Sequence, residues 1–234
     1  MSLIAMAFQV WLAGRIGSAG IGLYELVLSV SFLCTTFAIS GVRFATTRLV
    51  SEEIGAGRSR GVRAAMRRCF AYSLFFGLAA FAILTFLAEP IGFLWIGDAR
   101  TVLSLRIMAY SMPFVSLSSV MSGYFTACGR VWKSASVHLS EQLITIALVA
   151  LFLTRSPGGD IEKNCAAVML GSVGGDVLSF LIMLVFYLTD TRRYSEGPEA
   201  SVKLGSRMLK IALPLAASAY ARSSLSNCPP YSIW

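Results

Sequence analysis

The chain has 234 residues, of which 56% are hydrophobic and 14% charged, and its mean hydropathy is +0.70. A soluble domain carries roughly 25% charged residues, so this chain has too little polar surface to face water on all sides, which excludes a soluble enzyme. The formal net charge of +8 would suit a polyanion partner, but thirteen of the twenty Lys and Arg lie in alternate connections between apolar runs, which excludes a nucleic-acid binder.

Taken in chain order, Met1–Ala13 is apolar but short, and reads as the end of a truncated first spanning helix. It lacks the basic start of a signal peptide. Gly14–Ile21 holds three glycines and one arginine and predicts a tight turn into a second span, Gly22–Ala45, running to about Thr47. Further runs follow at Phe70–Ala88, Val102–Cys128, Ser136–Leu153 and Cys165–Leu188. Each is long enough to cross about 30 Å of hydrocarbon as a helix. The predicted organisation is therefore a transmembrane lobe over 1–190, a cytoplasmic linker over 191–207, the start of a seventh helix over 208–226 and an aberrant tail over 227–234. The fold class is an all-α integral membrane protein, with six helices and a partial seventh.

The connection from Arg48 to Arg68 mixes glycine with arginine and predicts a surface helix and a turn, either solvated or lying on anionic headgroups. With Arg130, Lys133 and the Arg192–Lys210 stretch it carries most of the positive charge. Lys and Arg near helix ends resist translocation, so these connections and the N-terminus are expected in the cytoplasm. Pro113 falls inside the fourth apolar run and predicts a kink, since proline removes one helical hydrogen bond. Ser111, Ser118, Ser119, Ser122 and Thr126 give the same run a small, polar face. Close helix packing explains such a face as well as a substrate path does. Gly171, Gly174 and Gly175 admit the same two readings.

Ionisable residues at membrane depth cost about 2.5 to 3.5 kcal/mol each on insertion scales, so they face a cavity or a partner. His138, Glu141 and Gln142 fall at i, i+3 and i+4 and share a face, with Thr145 one turn on. Asp176 lies midway along the last full span between Ser172 and Ser179. Glu25 and Arg43 mark the two ends of the second span, Arg48 follows it, and Arg222 sits in the partial seventh. The candidate substrate path is therefore Glu25, Arg43, Arg48, Glu141, Gln142, Asp176 and Arg222, with cationic groups holding an anion and carboxylates relaying a cation or proton. Pairing across helices is the plainer alternative. The cysteines Cys34, Cys69, Cys128, Cys165 and Cys228 form no C-x-x-C pair, and no nucleophile, metal-ligand or phosphate-loop motif is present. No metal, cofactor or enzymatic activity is expected.

Three stretches resemble one family: Arg15-Ile-Gly-Ser-Ala-Gly-Ile-Gly-Leu-Tyr-Glu-Leu, Ala38-Ile-Ser-Gly-Val-Arg-Phe-Ala-Thr-Thr-Arg-Leu-Val-Ser-Glu-Glu and Met112-Pro-Phe-Val-Ser-Leu-Ser-Ser-Val-Met-Ser-Gly-Tyr-Phe-Thr-Ala-Cys-Gly-Arg. They are similar to the polysaccharide and oligosaccharide flippases, the stage V sporulation protein B group in particular, over about Leu12–Ser226. The resemblance implies half of a fold of twelve to fourteen helices, built as two lobes around a cleft that opens to each side in turn. It implies outward movement of an undecaprenyl-diphosphate-linked sugar or peptidoglycan precursor across the bacterial inner membrane, with Arg43 and Arg48 placed to meet the diphosphate. Multidrug and cation antiporters share that fold, and a non-transporting remnant or membrane assembly partner is the third reading. The expected partners are the lipid bilayer, a lipid-linked anionic sugar, and a second lobe or a homodimer that closes the cleft; the 234-residue lobe alone is expected not to transport. The tail Asn227-Cys-Pro-Pro-Tyr-Ser-Ile-Trp departs from the family's pattern. Two adjacent prolines continue a helix poorly, so the tail is expected to mark a frameshift near Ser226, the alternative being that the half is the real product.

Overall fold

The structure, a computed structural model, describes residues 2–39, 41–96, 100–155 and 161–191. The partial seventh helix, the linker, the tail and Arg222 lie outside the described residues. Within them every regular element is helical: α1 (Ser2–Ile39), α2 (Val42–Gly55), α3 (Ser59–Pro90), continued by a π-helical turn over Ile91–Ile96, α4 (Thr101–Ala109), α5 (Met112–Ala127), α6 (Val131–Arg155) and α7 (Ile161–Thr191). The chain is an all-α membrane protein. Among the described residues four stretches are long and apolar enough to cross a bilayer, namely Gly20–Gly55, Ser59–Phe93, Val131–Thr154 and Asn164–Thr191. Phe32, Phe75, Phe86 and Val185 on these stretches are exposed, a surface suited to hydrocarbon or to a further apolar partner.

α1 is two arms rather than one rod. Gly17 has φ 76 and ψ 173, outside the helical region, and only glycine adopts such a backbone without cost. The arms fold back on each other there: the Gln9 amide donates to the Glu25 carboxylate at 3.4 Å, whereas 16 residues of straight helix would hold them about 24 Å apart. This is the turn expected over Gly14–Ile21. A second left-handed glycine, Gly41 at φ 70, precedes α2.

The second span does not end near Thr47. After the Gly41 bend, α2 continues to Gly55, burying Val42, Ala45, Thr46, Leu49, Val50 and Glu53 against α3 and α5. α3 likewise starts at Ser59, well before the apolar run at Phe70. Its first turns are amphipathic, with Val62, Ala65, Met66 and Cys69 buried and Arg60, Arg63, Arg67 and Arg68 outside. The Arg48–Arg68 stretch is thus two helix ends joined by a turn at Ala56–Arg58. Glu53 is buried there and accepts from Arg58 Nε at 2.9 Å and Nη2 at 3.2 Å, so its charge is neutralised where water cannot reach it.

The run Val102–Cys128 is two helices rather than one continuous helix. Pro113 has no N–H for the Ala109 carbonyl, and its ring would crowd that oxygen. The chain instead tightens at Tyr110 and Ser111, whose amides bond the carbonyls of Ile107 at 3.2 Å and Met108 at 3.1 Å. Ser111 Oγ adds a bond to Met108 O at 3.0 Å. Pro113 then sits in the first turn of α5.

Small residues set the helix spacing. Ser116 Oγ lies 2.9 Å from Ala38 O, 2.8 Å from Ser73 O and 2.6 Å from Ser73 Oγ, tying α1, α3 and α5 at one point. A Cβ on Gly171 would stand 2.8 Å from Val149 N and 2.9 Å from its Cα, and one on Gly174 3.0 Å from Leu148 Cδ1. Gly171→Ala must therefore part α6 from α7, at a cost of about 1 to 3 kcal/mol. Thermal unfolding in detergent should show that loss, while Gly14→Ala, where a Cβ meets nothing within 4 Å, should leave stability nearly unchanged.

Candidate functional site

Between α1, α2, α5, α6 and α7 lies a cavity of about 320 Å³. Because Gly41 redirects the chain, the first turn of α2 presents Arg43 and Phe44 to it. α5 contributes the small face noted in the sequence, Ser118, Ser119 and Ser122, together with Val115. Its close approach to α2 depends on Gly123, where a Cβ would lie 2.6 Å from the Arg43 carbonyl oxygen. From the far side α6 supplies His138 and Glu141, and α7 supplies Asp176 and Ser179.

The Glu141 carboxylate is held in place. Its Oε2 is 3.1 Å from His138 Nδ1 and accepts from Ser179 Oγ at 2.9 Å. One bond comes from the preceding turn of α6 and one from α7, so the carboxylate spans the two helices and stays on the cavity wall. Arg43, by contrast, is exposed, and no carboxylate pairs with it among the described residues. The cavity sets one guanidinium, that of Arg43, against the two carboxyl groups of Glu141 and Asp176. It can hold a cation at Glu141 and Asp176 and an anionic group at Arg43.

The other sequence candidates lie elsewhere. Glu25 meets Gln9 across the α1 hairpin. Arg48 pairs with Glu52 one turn on, at 3.2 Å on an exposed face. Gln142 does not line the cavity, and its Oε1 is buried with no hydrogen-bond partner among the described residues. Sequence reasoning overlooked Phe44, Thr36 and Gly41 of the lining, which carry no charge to mark them. It also overlooked Asp190, a buried carboxylate that receives Tyr124 Oη at 3.1 Å and Lys133 Nζ at 3.2 Å and pairs with Arg130. The signal was available: two cations in the short Arg130–Lys133 connection need a counter-charge nearby. Among the described residues no group of three or more His, Cys, Asp and Glu side chains is gathered as a metal site would need.

A family model described as MatE matches residues 1–151. Stage V sporulation protein B of Bacillus subtilis (strain 168) is 26% identical over 223 residues, which are 93% of this chain and 43% of that protein. A MOP superfamily transporter from Pyrococcus furiosus, whose structure was described under the words "reverse polarity of binding pocket suggests different function", superposes with a TM-score of 0.78 at 15% identity. That match covers 96% of this chain and 50% of that one. A multidrug resistance MATE family transporter of the same superfamily matches in its outward-facing form with TM-score 0.70 and in its inward-facing form with 0.67, each at 17% identity. These cover 96% and 95% of this chain and 50% and 51% of those. The chain thus spans about half the length of the relatives it matches.

Proposed function

We propose, from the fact that the chain belongs to the MatE family, that it forms one lobe of a transporter that carries a lipid-linked anionic sugar or peptidoglycan precursor outward across the bacterial inner membrane. The observation that carries this reading is the meeting of Arg43 with Glu141 and Asp176 in a single cavity. A guanidinium pairs bidentately with phosphate oxygens, and Arg43 is exposed to do so. The two carboxylates repel that same anion until a proton or metal cation neutralises them. Loading of a cation and loading of the lipid diphosphate are therefore coupled, and the second cannot proceed well without the first. A second lobe, or a second copy of this chain, supplies the opposite wall of the cleft. By the positive-inside rule the ends that bear Arg48–Arg68 and Arg130–Lys133 face the cytoplasm, as does the N-terminus.

The excess of acid over base in the cavity favours a second reading, export of a cationic drug in exchange for a cation. Binding separates the two. In nanodiscs, a polyprenyl-diphosphate disaccharide should bind the wild-type chain more tightly as the proton or cation concentration rises, whereas a cationic dye should compete with those cations. Asp176→Asn removes an ionisable carboxyl group and should tighten the disaccharide lipid by about tenfold or more at low proton and cation concentration, since one charge even about 12 Å away at an effective dielectric constant near 20 is worth about tenfold. Tight dye binding that Asp176→Asn destroys, with no binding of the lipid, would establish the antiporter instead.

A further inference from the structure

On α3, which contributes no residue to the cavity lining, Arg60, Arg63 and Arg67 line a groove of about 370 Å³ together with Ala64. Their spacing of three and four places them on one stripe of the helix. No carboxylate pairs with any of them among the described residues. Arg63 reaches across to the last turn of α7, where Nη2 donates to Thr191 O at 3.3 Å. The same stripe continues along α3 as Phe70, Ala71 and Leu74, and there it lines a second groove of about 340 Å³ with Leu117 of α5 and Phe180, Leu184 and Tyr187 of α7. The two helices run in opposite directions, so the pairs stay in register: Arg63 beside Thr191, then Phe70 against Tyr187 with ring centroids 5.4 Å apart. The lining changes from three guanidinium groups to apolar side chains within one turn, between Arg67 and Phe70.

We infer that this α3–α7 groove is a binding site for an anionic phospholipid of the surrounding bilayer, with the phosphate held by Arg60, Arg63 and Arg67 and an acyl chain lying along Phe70, Leu74, Leu184 and Tyr187. Charge complementarity selects the head: three cations without a carboxylate partner among the described residues attract a phosphate ester with a net negative charge and discriminate against a zwitterion. The abrupt polar-to-apolar change selects a molecule built the same way and puts the site at headgroup depth. The groove is separate from the transport cavity, with which it shares no lining residue. A lipid seated there would join α3 to α7 on the outer face of the lobe.

The test is native mass spectrometry of the full chain released from detergent after equilibration with phosphatidylglycerol or phosphatidylcholine. Wild type should retain phosphatidylglycerol over phosphatidylcholine by about tenfold or more, on the attraction expected for three arginines near a membrane surface. R60Q/R63Q/R67Q should abolish the preference, R60K/R63K/R67K should keep most of it, and Arg48→Gln, outside the groove, should leave it intact. Ala71→Trp should lower retention of both lipids by filling the apolar part. A matching thermal unfolding curve for each variant shows that the fold is retained. Equal retention of both lipids by wild type, or an undiminished preference in the triple glutamine variant, would overturn the site. Displacement of phosphatidylglycerol by an equimolar polyprenyl diphosphate that needs the same three arginines would reassign the groove to cargo and equally overturn it.

Discussion

Asp190→Ala should destabilise the lobe by about 3 to 5 kcal/mol, the cost of removing one partner from a buried ionic cluster. Asp190 is 3% exposed, and it receives Lys133 Nζ at 3.2 Å and the Arg130 guanidinium on Oδ1, with Tyr124 Oη at 3.1 Å on Oδ2. Three elements meet at this carboxylate: the end of α5, the start of α6 and the end of α7. Without it, two cations face each other and the Tyr124 hydroxyl loses its bond to the carboxylate. Asp190→Asn should fall between, because an amide oxygen still accepts from Tyr124 but offers no charge. Thermal unfolding in detergent checks both, and an alanine variant as stable as wild type would show that water replaces the carboxylate without loss.

The second large effect concerns binding. Arg43→Gln should weaken the polyprenyl-diphosphate disaccharide by about tenfold to a hundredfold, as expected for losing a charged hydrogen bond of roughly 1.5 to 3 kcal/mol. Arg43→Lys should recover only part, since an ammonium lacks the planar fork that grips two phosphate oxygens. Arg43 is exposed on the first turn of α2 and carries no ion pair among the described residues, so neither change should alter stability measurably. Arg48, already paired with Glu52 on an exposed face, provides the contrast: Arg48→Gln should leave binding unchanged.

How far the sequence could be read follows from what each signal measures. Hydropathy integrates over whole spans, so the helices over Gly22–Ala45, Phe70–Ala88, Ser136–Leu153 and Cys165–Leu188 were legible, and so was the turn at Gly17. The same averaging hid the first turns of α3. Arg60, Arg63, Arg67 and Arg68 swamp the apolar positions Val62, Ala65, Met66 and Cys69, although those recur at helical spacing and are buried. Pro113 announced a disturbance but not its place, because the proline ring acts on the carbonyl of the preceding turn and the break falls at Tyr110 and Ser111. Periodicity put His138 and Glu141 on one face, and the structure adds Ser179 as the group that holds Glu141 from α7. Which helix faces converge is a property of tertiary packing. Arg43 joins Glu141 and Asp176 only because α2 turns at Gly41 and α5 approaches it closely at Gly123, whereas Glu25, equally polar and equally placed at a helix end, is carried to the α1 hairpin.

The measurement that bears most directly on the transport reading is the place at which its cargo attaches. A polyprenyl-diphosphate disaccharide with a photoreactive group beside the diphosphate, irradiated with the chain in nanodiscs and mapped by peptide sequencing, should label the segments around Arg43–Phe44, Glu141 and Asp176–Ser179. That labelling should be lost in Arg43→Gln and be displaced by unlabelled lipid. Labelling confined to the lipid-facing surfaces, or unchanged by Arg43→Gln, would contradict the assignment of this cavity as the cargo path.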